Sequence, residues 1–381
     1  MGEHRFKLRR IEIVSLVVAA MLAAGLLVWG DRMGRAGART VERFWTGGGS
    51  LVVWRSAGGR LTARFTGSGG TAVERGLGGG VAARPVAGGR RPLILVTDAS
   101  GGHRLLEYDA TTTRWRVVLA SPDPHDLTSA VAIGALVYVP QGSGRRAAVV
   151  AVHPDGRIAA TYRLPKLPPD PTALLPGPSQ PGPLSHPGRG AVDALLSADG
   201  HVLAVTSSRS AAGLTDLLTG RTVTFNGYTQ VQAATMGGDG MIYVLTGAND
   251  TAFSLRILRI DPRSMQIVSA FDTGALDRGR PATALPSSFG AVIYSPGVPR
   301  SLDALSGTEV WLVDGGGLRE NATVSSDDGL LMGPGHGDSA LLYGGVAGDV
   351  VTRVGLSDGA VRRADARLTA PSGTTVVLAA D

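Results

Sequence analysis

Short apolar runs, interrupted by polar turns, recur along this chain from Leu51 to its end. At seven places such a run stops in a turn and a second run follows. The last residues before these turns are Trp54, Tyr108, Val152, Thr215, Ile260, Leu302 and Leu356, spaced 54, 44, 63, 45, 42 and 54 positions apart, a mean near 50. Self-similarity at such a period is the signature of a stacked or radial repeat. The arms read as strands: Leu106 to Asp109 before Arg114 to Val117, Val150 to His153 before Arg157 to Ala159, Gly213 to Asp216 before Arg221 to Val223, and Ile257 to Asp261 before Met265 to Val268. Ser301 to Asp303 before Glu309 to Trp311, and Val354 to Leu356 before Ala360 to Arg362, continue the series. Alternation along the arms turns one face of each strand to a core and the other outward. Asp, Ser, Pro or Gly stands in each turn, where such residues bond their own backbone or accept left-handed dihedrals.

A second hairpin recurs inside each unit. Ala198-Asp199-Gly200-His201-Val202-Leu203 resembles Gly238-Asp239-Gly240-Met241-Ile242-Tyr243, with weaker copies at Asp327-Asp328-Gly329 and at Gly134 to Val139. Asp-Gly beside a β-rich run is a strong hairpin cue. Two hairpins per unit make a four-stranded blade, and the closing run Thr374 to Ala379 has no second half. Such a strand completes the first blade and leaves no open edge. The expected fold is all-β: a seven-bladed β-propeller preceded by one N-terminal transmembrane helix.

That helix is read from Ile11 to Trp29, an apolar run behind Arg5, Lys7, Arg9 and Arg10. Ile13 to Trp29 spans roughly 26 Å as a helix, close to the thickness of a hydrocarbon core. The expected organisation is a basic cytoplasmic tail (1–10), a transmembrane anchor (11–30), a flexible stalk (31–49) and the propeller (50–381). Within the propeller, 165–190 is a Pro-rich insertion with nine prolines in 26 residues, which cannot pair in a sheet. The charge pattern places the C-terminal domain outside the cytoplasm, at the cell membrane as a single-pass protein. A cleaved signal, with Ala36-Gly37-Ala38 as the cleavage site, is the alternative.

Composition narrows the chemistry. There is no Cys, which excludes disulfides, thiol catalysis and Cys-ligated metals. The net charge is +6, of which +4 belongs to residues 1–45, so the basicity flanks the membrane run and nucleic acid is not an expected partner. Lys7 and Lys166 are the only lysines, which removes a phosphate-loop lysine. The seven His (His4, His103, His125, His153, His186, His201, His336) show no metal-ligand spacing. Gly355-Leu356-Ser357-Asp358-Gly359 matches Gly-x-Ser-x-Gly, but it falls on a hairpin turn instead of the strand-to-helix elbow that chemistry needs. Asn321-Ala322-Thr323 fits an N-glycosylation acceptor.

Individual blades resemble known propeller families. Tyr108-Asp109-Ala110-Thr111-Thr112-Thr113-Arg114-Trp115 looks like a kelch turn, and Leu302 to Trp311 is similar to quinoprotein-dehydrogenase blades. Ile260-Asp261-Pro262 through Val268 resembles the YVTN surface-layer repeat. Each resemblance covers one blade, so it points to the β-propeller superfamily as a whole and transfers no site residues.

No catalytic, cofactor-binding or metal-binding residue is assigned from sequence. The favoured function is a binding or scaffold module for a protein or cell-envelope component, using loops at one ring face. The alternative is an extracytoplasmic hydrolase, lyase or oxidoreductase with a polar site at the channel mouth. The enzyme requires three or more of Asp98, Asp193, Asp239, Asp314, His125 and His336 to converge about the axis; scatter favours binding.

Overall fold

The structure, a computed structural model, describes residues 49–381 apart from short segments, the longest being 168–188, 273–282 and 297–306. The tail, the anchor at 11–30 and nearly all the stalk lie outside the described residues, as does most of the Pro-rich insertion. Seven sheets form in chain order, and within each four strands run antiparallel from an innermost to an outermost member. The innermost strands are Thr375–Ala380, Ala82–Pro85, Val131–Gly134, Arg189–Ala198, Tyr228–Met236, Thr283–Pro286 and Leu330–Pro334. Each touches the next and the last meets the first, the second being joined to the third through Ala87–Gly89. The result is a closed ring, a β-propeller.

The expected fold class is corrected in its blade count. Six sheets, not seven, are regular four-stranded blades. The remaining sheet has five strands, because Ala87–Gly89 leaves the second sheet and pairs in parallel with Val131–Gly134 of the third. Pro85 ends the strand before it and a short crossover delivers the chain alongside its neighbour. No helix among the described residues is long and apolar enough to cross a membrane, and the expected anchor at 11–30 lies outside them.

Closure is made by the tail. Thr375–Ala380 pairs with Gly49–Arg55, with Leu51 opposite Ala380 and Val53 opposite Leu378, so strands from both ends of the chain complete one sheet. This arrangement also shifts two of the seven turn markers. Tyr108, Val152, Thr215, Ile260 and Leu356 lie at outermost hairpins, as read from sequence. Trp54 instead closes the hairpin between second and third strands, since the tail supplies the innermost one. Leu302 lies outside the described residues, and Glu309 to Trp311 sit on a third strand, Gly307–Asp314, whose own hairpin leads to Gly317–Ser325. Both hairpin types present the same apolar–turn–apolar pattern, so the period survives while its phase slips.

Burial follows position in the sheet. A middle strand is covered on both faces by neighbouring sheets; Ala148–Val152 is buried at all five positions. The outermost Ile158–Arg163 is largely exposed. The core is therefore a series of layers between sheets. One holds Leu51, Phe65, Ile94 and Tyr108 between the first and second. Another holds Leu203, Leu214, Phe225, Val244 and Ile260 between the fourth and fifth.

Candidate functional site at the crossover face

Antiparallel order sends the connections between innermost and second strands to one face of the ring. Turns between second and third strands, and the crossovers from sheet to sheet, emerge at the other, here termed the crossover face. The acidic residues singled out from sequence divide between the two. Asp98 opens the second–third turn of its sheet, at the crossover face, and Asp193 lies near the crossover end of an innermost strand. Asp239 sits in an innermost–second turn and Asp314 ends a third strand, both at the opposite face. His125 and His336 lie outside the described residues. The four backbone positions are therefore split between opposite faces.

Two of them are held by cations. Asp98 accepts hydrogen bonds from Arg104 Nε and Nη2 at 3.1 and 2.9 Å. Asp239 accepts from Arg259 Nη2 at 3.0 Å and from the Tyr243 hydroxyl at 2.9 Å. Burial, followed by that bond to Asp239, pushes the Tyr243 hydroxyl up to about 12. This network staples a turn. Asp216 is likewise structural: burial would raise it, but bonds from Thr219, the Leu218 N–H and His201 outweigh burial and hold it below the usual carboxylate value. The Gly-x-Ser-x-Gly stretch follows strand Val351–Gly355 into an outer hairpin closed by Gly355 N–H donating to Ala360 O; Ser357 itself lies outside the described residues.

The crossover face carries a cleft of about 840 Å³ between the first and second sheets, lined by Arg55, Ser56, Asp98, Ser100, Arg104 and Thr375 among others. That is within the usual range for ligand pockets. Arg104 is neutralised by Asp98 and also donates to the Gly79 carbonyl. Arg55, the last residue of strand Gly49–Arg55, makes no side-chain hydrogen bond or ion pair with the described residues and is half-buried. Among the described residues, the cleft thus holds one positive charge without a compensating partner, beside two serine hydroxyls and a threonine. Gly80 shapes its floor, since a Cβ there would meet Leu61 Cδ1 at 2.7 Å and Val96 Cγ1 at 2.8 Å.

Closer to the axis, Asp193 occupies a β-bulge. Val192 pairs with Thr206 and Ala194 with Val205, leaving Asp193 without an opposite residue. Ser207 donates its hydroxyl and its backbone N–H to this carboxylate, yet burial outweighs both and raises the acid to about 7. The residue as a whole is half-buried, but its Oδ2 is enclosed and has no hydrogen-bond partner. In the next sheet Gln232 occupies the matching bulge, between Val231 opposite Thr246 and Ala233 opposite Leu245, and its Oε1 is also enclosed and unpartnered. In the preceding sheet, Ser129 enters the innermost strand with a buried, unpartnered Oγ, beside Thr128, whose hydroxyl donates to the Val192 carbonyl at 3.4 Å. Leu127, one residue earlier, is buried with φ +55°, a strained conformation for a branched side chain.

Sequence reasoning found Asp193 and Asp98 but missed Arg55, Ser129 and Gln232. Val192-Asp193-Ala194 and Val231-Gln232-Ala233 are the faint signal. Aligning the repeats on their Asp-Gly turns puts them one position out of register. The hairpin closes from Ala198 to His201 in one sheet and from Met236 to Ile242 in the next, so the turns differ in length.

No family model matches this chain, and no curated protein does. Solved structures share its fold. A putative 6-phosphogluconolactonase from Bacteroides uniformis superposes with TM-score 0.54 at 14% identity, over 87% of this chain and 99% of its own. A periplasmic gluconolactonase from Pseudomonas aeruginosa gives 0.53 at 14%, with the same coverage. A putative 6-phosphogluconolactonase from Bacteroides fragilis gives 0.52 at 11%, over 87% and 96%. At these identities the likeness is one of fold.

Proposed function

We propose that this propeller is a binding module whose crossover face engages a protein or cell-envelope component through an anionic group, a carboxylate or a phosphate. The observation that carries the reading is the cleft between the first and second sheets. Its Arg55 guanidinium, without a hydrogen-bond or ion-pair partner among the described residues, stands beside an Arg104 already neutralised by Asp98. A guanidinium is well matched to a bidentate oxyanion, and the surrounding hydroxyls donate further bonds. A rigid ring that presents loops at one face suits recognition. The scatter of Asp98, Asp193, Asp239 and Asp314 over two faces supports binding over a concerted acid–base site. Nucleic acid is not part of the proposal. The full-length chain, purified from membranes, is expected to bring a stoichiometric partner that Arg55→Glu loses and Arg157→Glu retains. Arg157 is an exposed arginine paired to Asp155 at an outermost hairpin. Repeated absence of a partner, or its retention by Arg55→Glu, refutes the reading. The extracytoplasmic placement at the cell membrane is a separate part of the proposal, and a C-terminal reporter active only in the cytoplasm refutes it.

A second reading, hydrolysis of a sugar lactone, has one observation in its favour. Asp193 titrates near neutrality, as a general acid–base group should, on a strand bordering the axis. Lactone hydrolysis above the buffer rate that Asp193→Asn abolishes would establish it. No hydrolysis by the folded protein would dismiss it.

A further inference from the structure

We propose that the Arg55 cleft takes a uronic acid: one carboxylate carried on a polyhydroxylated ring, free or as a residue of an acidic glycan. This rests on the anion-binding reading of the same cleft and narrows it from any oxyanion to a sugar monocarboxylate. The cleft, about 840 Å³, has room for such a ring, and its polar groups can be reached from solvent. Arg55 and Thr375 are half-buried and Ser100 is exposed, while the side chains of Asp98 and Arg104 are 34% and 21% exposed.

Backbone bonds hold the walls in place. Thr375 pairs with Arg55 across the closing strand. The Gly80 N–H donates to the Gly59 carbonyl at 3.1 Å, and the Val81 N–H donates to the Thr97 carbonyl at 2.8 Å, one residue before Asp98. The hairpin that carries Arg55 and the turn that carries Asp98 are thereby joined through Gly80-Val81, and both line the one cleft.

Charge selects a monoanion. Among the described residues the lining sets Arg55 and Arg104 against Asp98, two positive charges against one negative, a net of +1. A guanidinium meets a carboxylate through two parallel N–H bonds. A phosphate monoester carries about −1.5 to −2 at neutral pH. Its excess charge would face Asp98 with no further cation of the described lining to meet it.

The other polar atoms select hydroxyls. Arg104 Nε and Nη2 both bond to Oδ1 of Asp98, at 3.1 and 2.9 Å, so Oδ2 remains an acceptor without a partner among the described residues. A ligand hydroxyl donates there. The Ser56 Oγ accepts from the Arg60 N–H at 3.3 Å, which leaves its own proton to donate. Ser100 and Thr375 add hydroxyls that donate or accept. A peptide carrying its own terminal carboxylate fits less well. Val81 is the single large apolar side chain among the described lining residues, too little to seat the side chains of a peptide.

The test is calorimetric titration of the full-length protein with D-glucuronate, D-galacturonate and trigalacturonate. D-glucose, D-glucose 6-phosphate and N-acetyl-alanyl-alanine serve as the neutral, dianionic and peptide probes. A uronate is expected to bind saturably and at least about tenfold tighter than each of those three, the worth of one charge-assisted contact. Arg55→Gln should weaken it about tenfold or more, towards glucose, and Arg157→Glu should bind as the native protein does. Asp98→Asn raises the net charge of the lining and should shift the preference towards glucose 6-phosphate by about fivefold or more, as a unit charge a few ångströms away does even in water. Asp98 lies in a solvent-accessible turn, so this variant keeps the charge test valid should Arg55→Gln not fold. Tighter binding of trigalacturonate than of galacturonate assigns the residue to a glycan, and equal affinity assigns the free acid. The proposal is overturned by no saturable binding of any uronate, by uronate binding that Arg55→Gln retains, or by equal or tighter binding of glucose 6-phosphate or the peptide. The broader anion-binding reading survives those results while Arg55→Glu still loses its membrane partner, so the two fail separately.

Discussion

Replacing Asp193 by Asn should make the protein more stable at neutral pH and leave it little changed in acid. The native acid sits at about 7 against an ordinary value of 3.8, because burial disfavours its charge more than the Ser207 bonds favour it. At 1.36 kcal/mol per pH unit, that gap is worth roughly 4 kcal/mol. The folded chain holds the proton more tightly than the unfolded chain. Stability from this group is therefore fully present below about pH 4, where both states are protonated. It falls as pH rises towards 7 and is constant above. Asparagine keeps an acceptor for Ser207 and carries no charge at any of these values. The stability difference between variant and native protein should thus move by roughly 4 kcal/mol in favour of the variant between pH 4 and pH 8, most of it between 4 and 7. Urea unfolding at pH 4.5, 5.5, 6.5, 7.5 and 8.5 measures this through midpoints at constant slope. A difference independent of pH, or one that grows in favour of aspartate as pH rises, would refute the assignment of a buried, destabilised carboxylate.

Other perturbations probe the ring. Gly333→Ala drives a Cβ into the Ala379 carbonyl oxygen and to 3.1 Å from Tyr343 Cε1. It should cost about 1–3 kcal/mol by overpacking the closure, read as a lowered melting temperature. Deleting 375–380 removes a strand buried at five of its six positions and bares the edge at Leu51 and Val53. Loss of a single cooperative transition and concentration-dependent aggregation are expected, and an unaltered calorimetric peak would count against tail closure. Arg116→Ala takes one cationic partner from Glu107, which is 2% exposed, and also the bond to the Pro154 carbonyl that ties the second sheet to the third. With Arg116 itself 44% exposed, solvent screening reduces the cost to about 1–3 kcal/mol by denaturant unfolding, and Glu107→Gln in the same background should restore part of it.

Much of the ring was legible in the chain, and the reason is physical. Middle strands such as Ala148–Val152 are enclosed by a sheet on either side, so they must be apolar throughout, and outermost strands such as Ile158–Arg163 must alternate or turn polar. That contrast repeats with every unit and survives divergence of individual residues. The phase of the repeat was less legible. A second–third hairpin and a third–outermost hairpin carry the same pattern, so Trp54 and an outermost hairpin look alike until pairing with Thr375–Ala380 tells them apart. The fifth strand, Ala87–Gly89, was not legible, because it has three residues and a parallel partner over forty positions away. The candidate sites were the least legible part. Arg55 stands out only because no described residue pairs with it, which is a statement about space. Gln232 matches Asp193 because a bulge aligns it, and bulges have no letter code.

Closure by the tail also sets the order in which the molecule can be completed. Val52 faces Ala379 across one sheet, more than three hundred positions along the chain. Such remote pairing is slow to find, since the loop must be closed before the contact rewards it. A nascent chain has its opening strands ready long before their partner, so the wheel stays unsealed until residues 375–380 have been made. Premature termination anywhere upstream therefore leaves a bare lip of strand, and quality control has a ready mark by which to tell a finished molecule from a broken one.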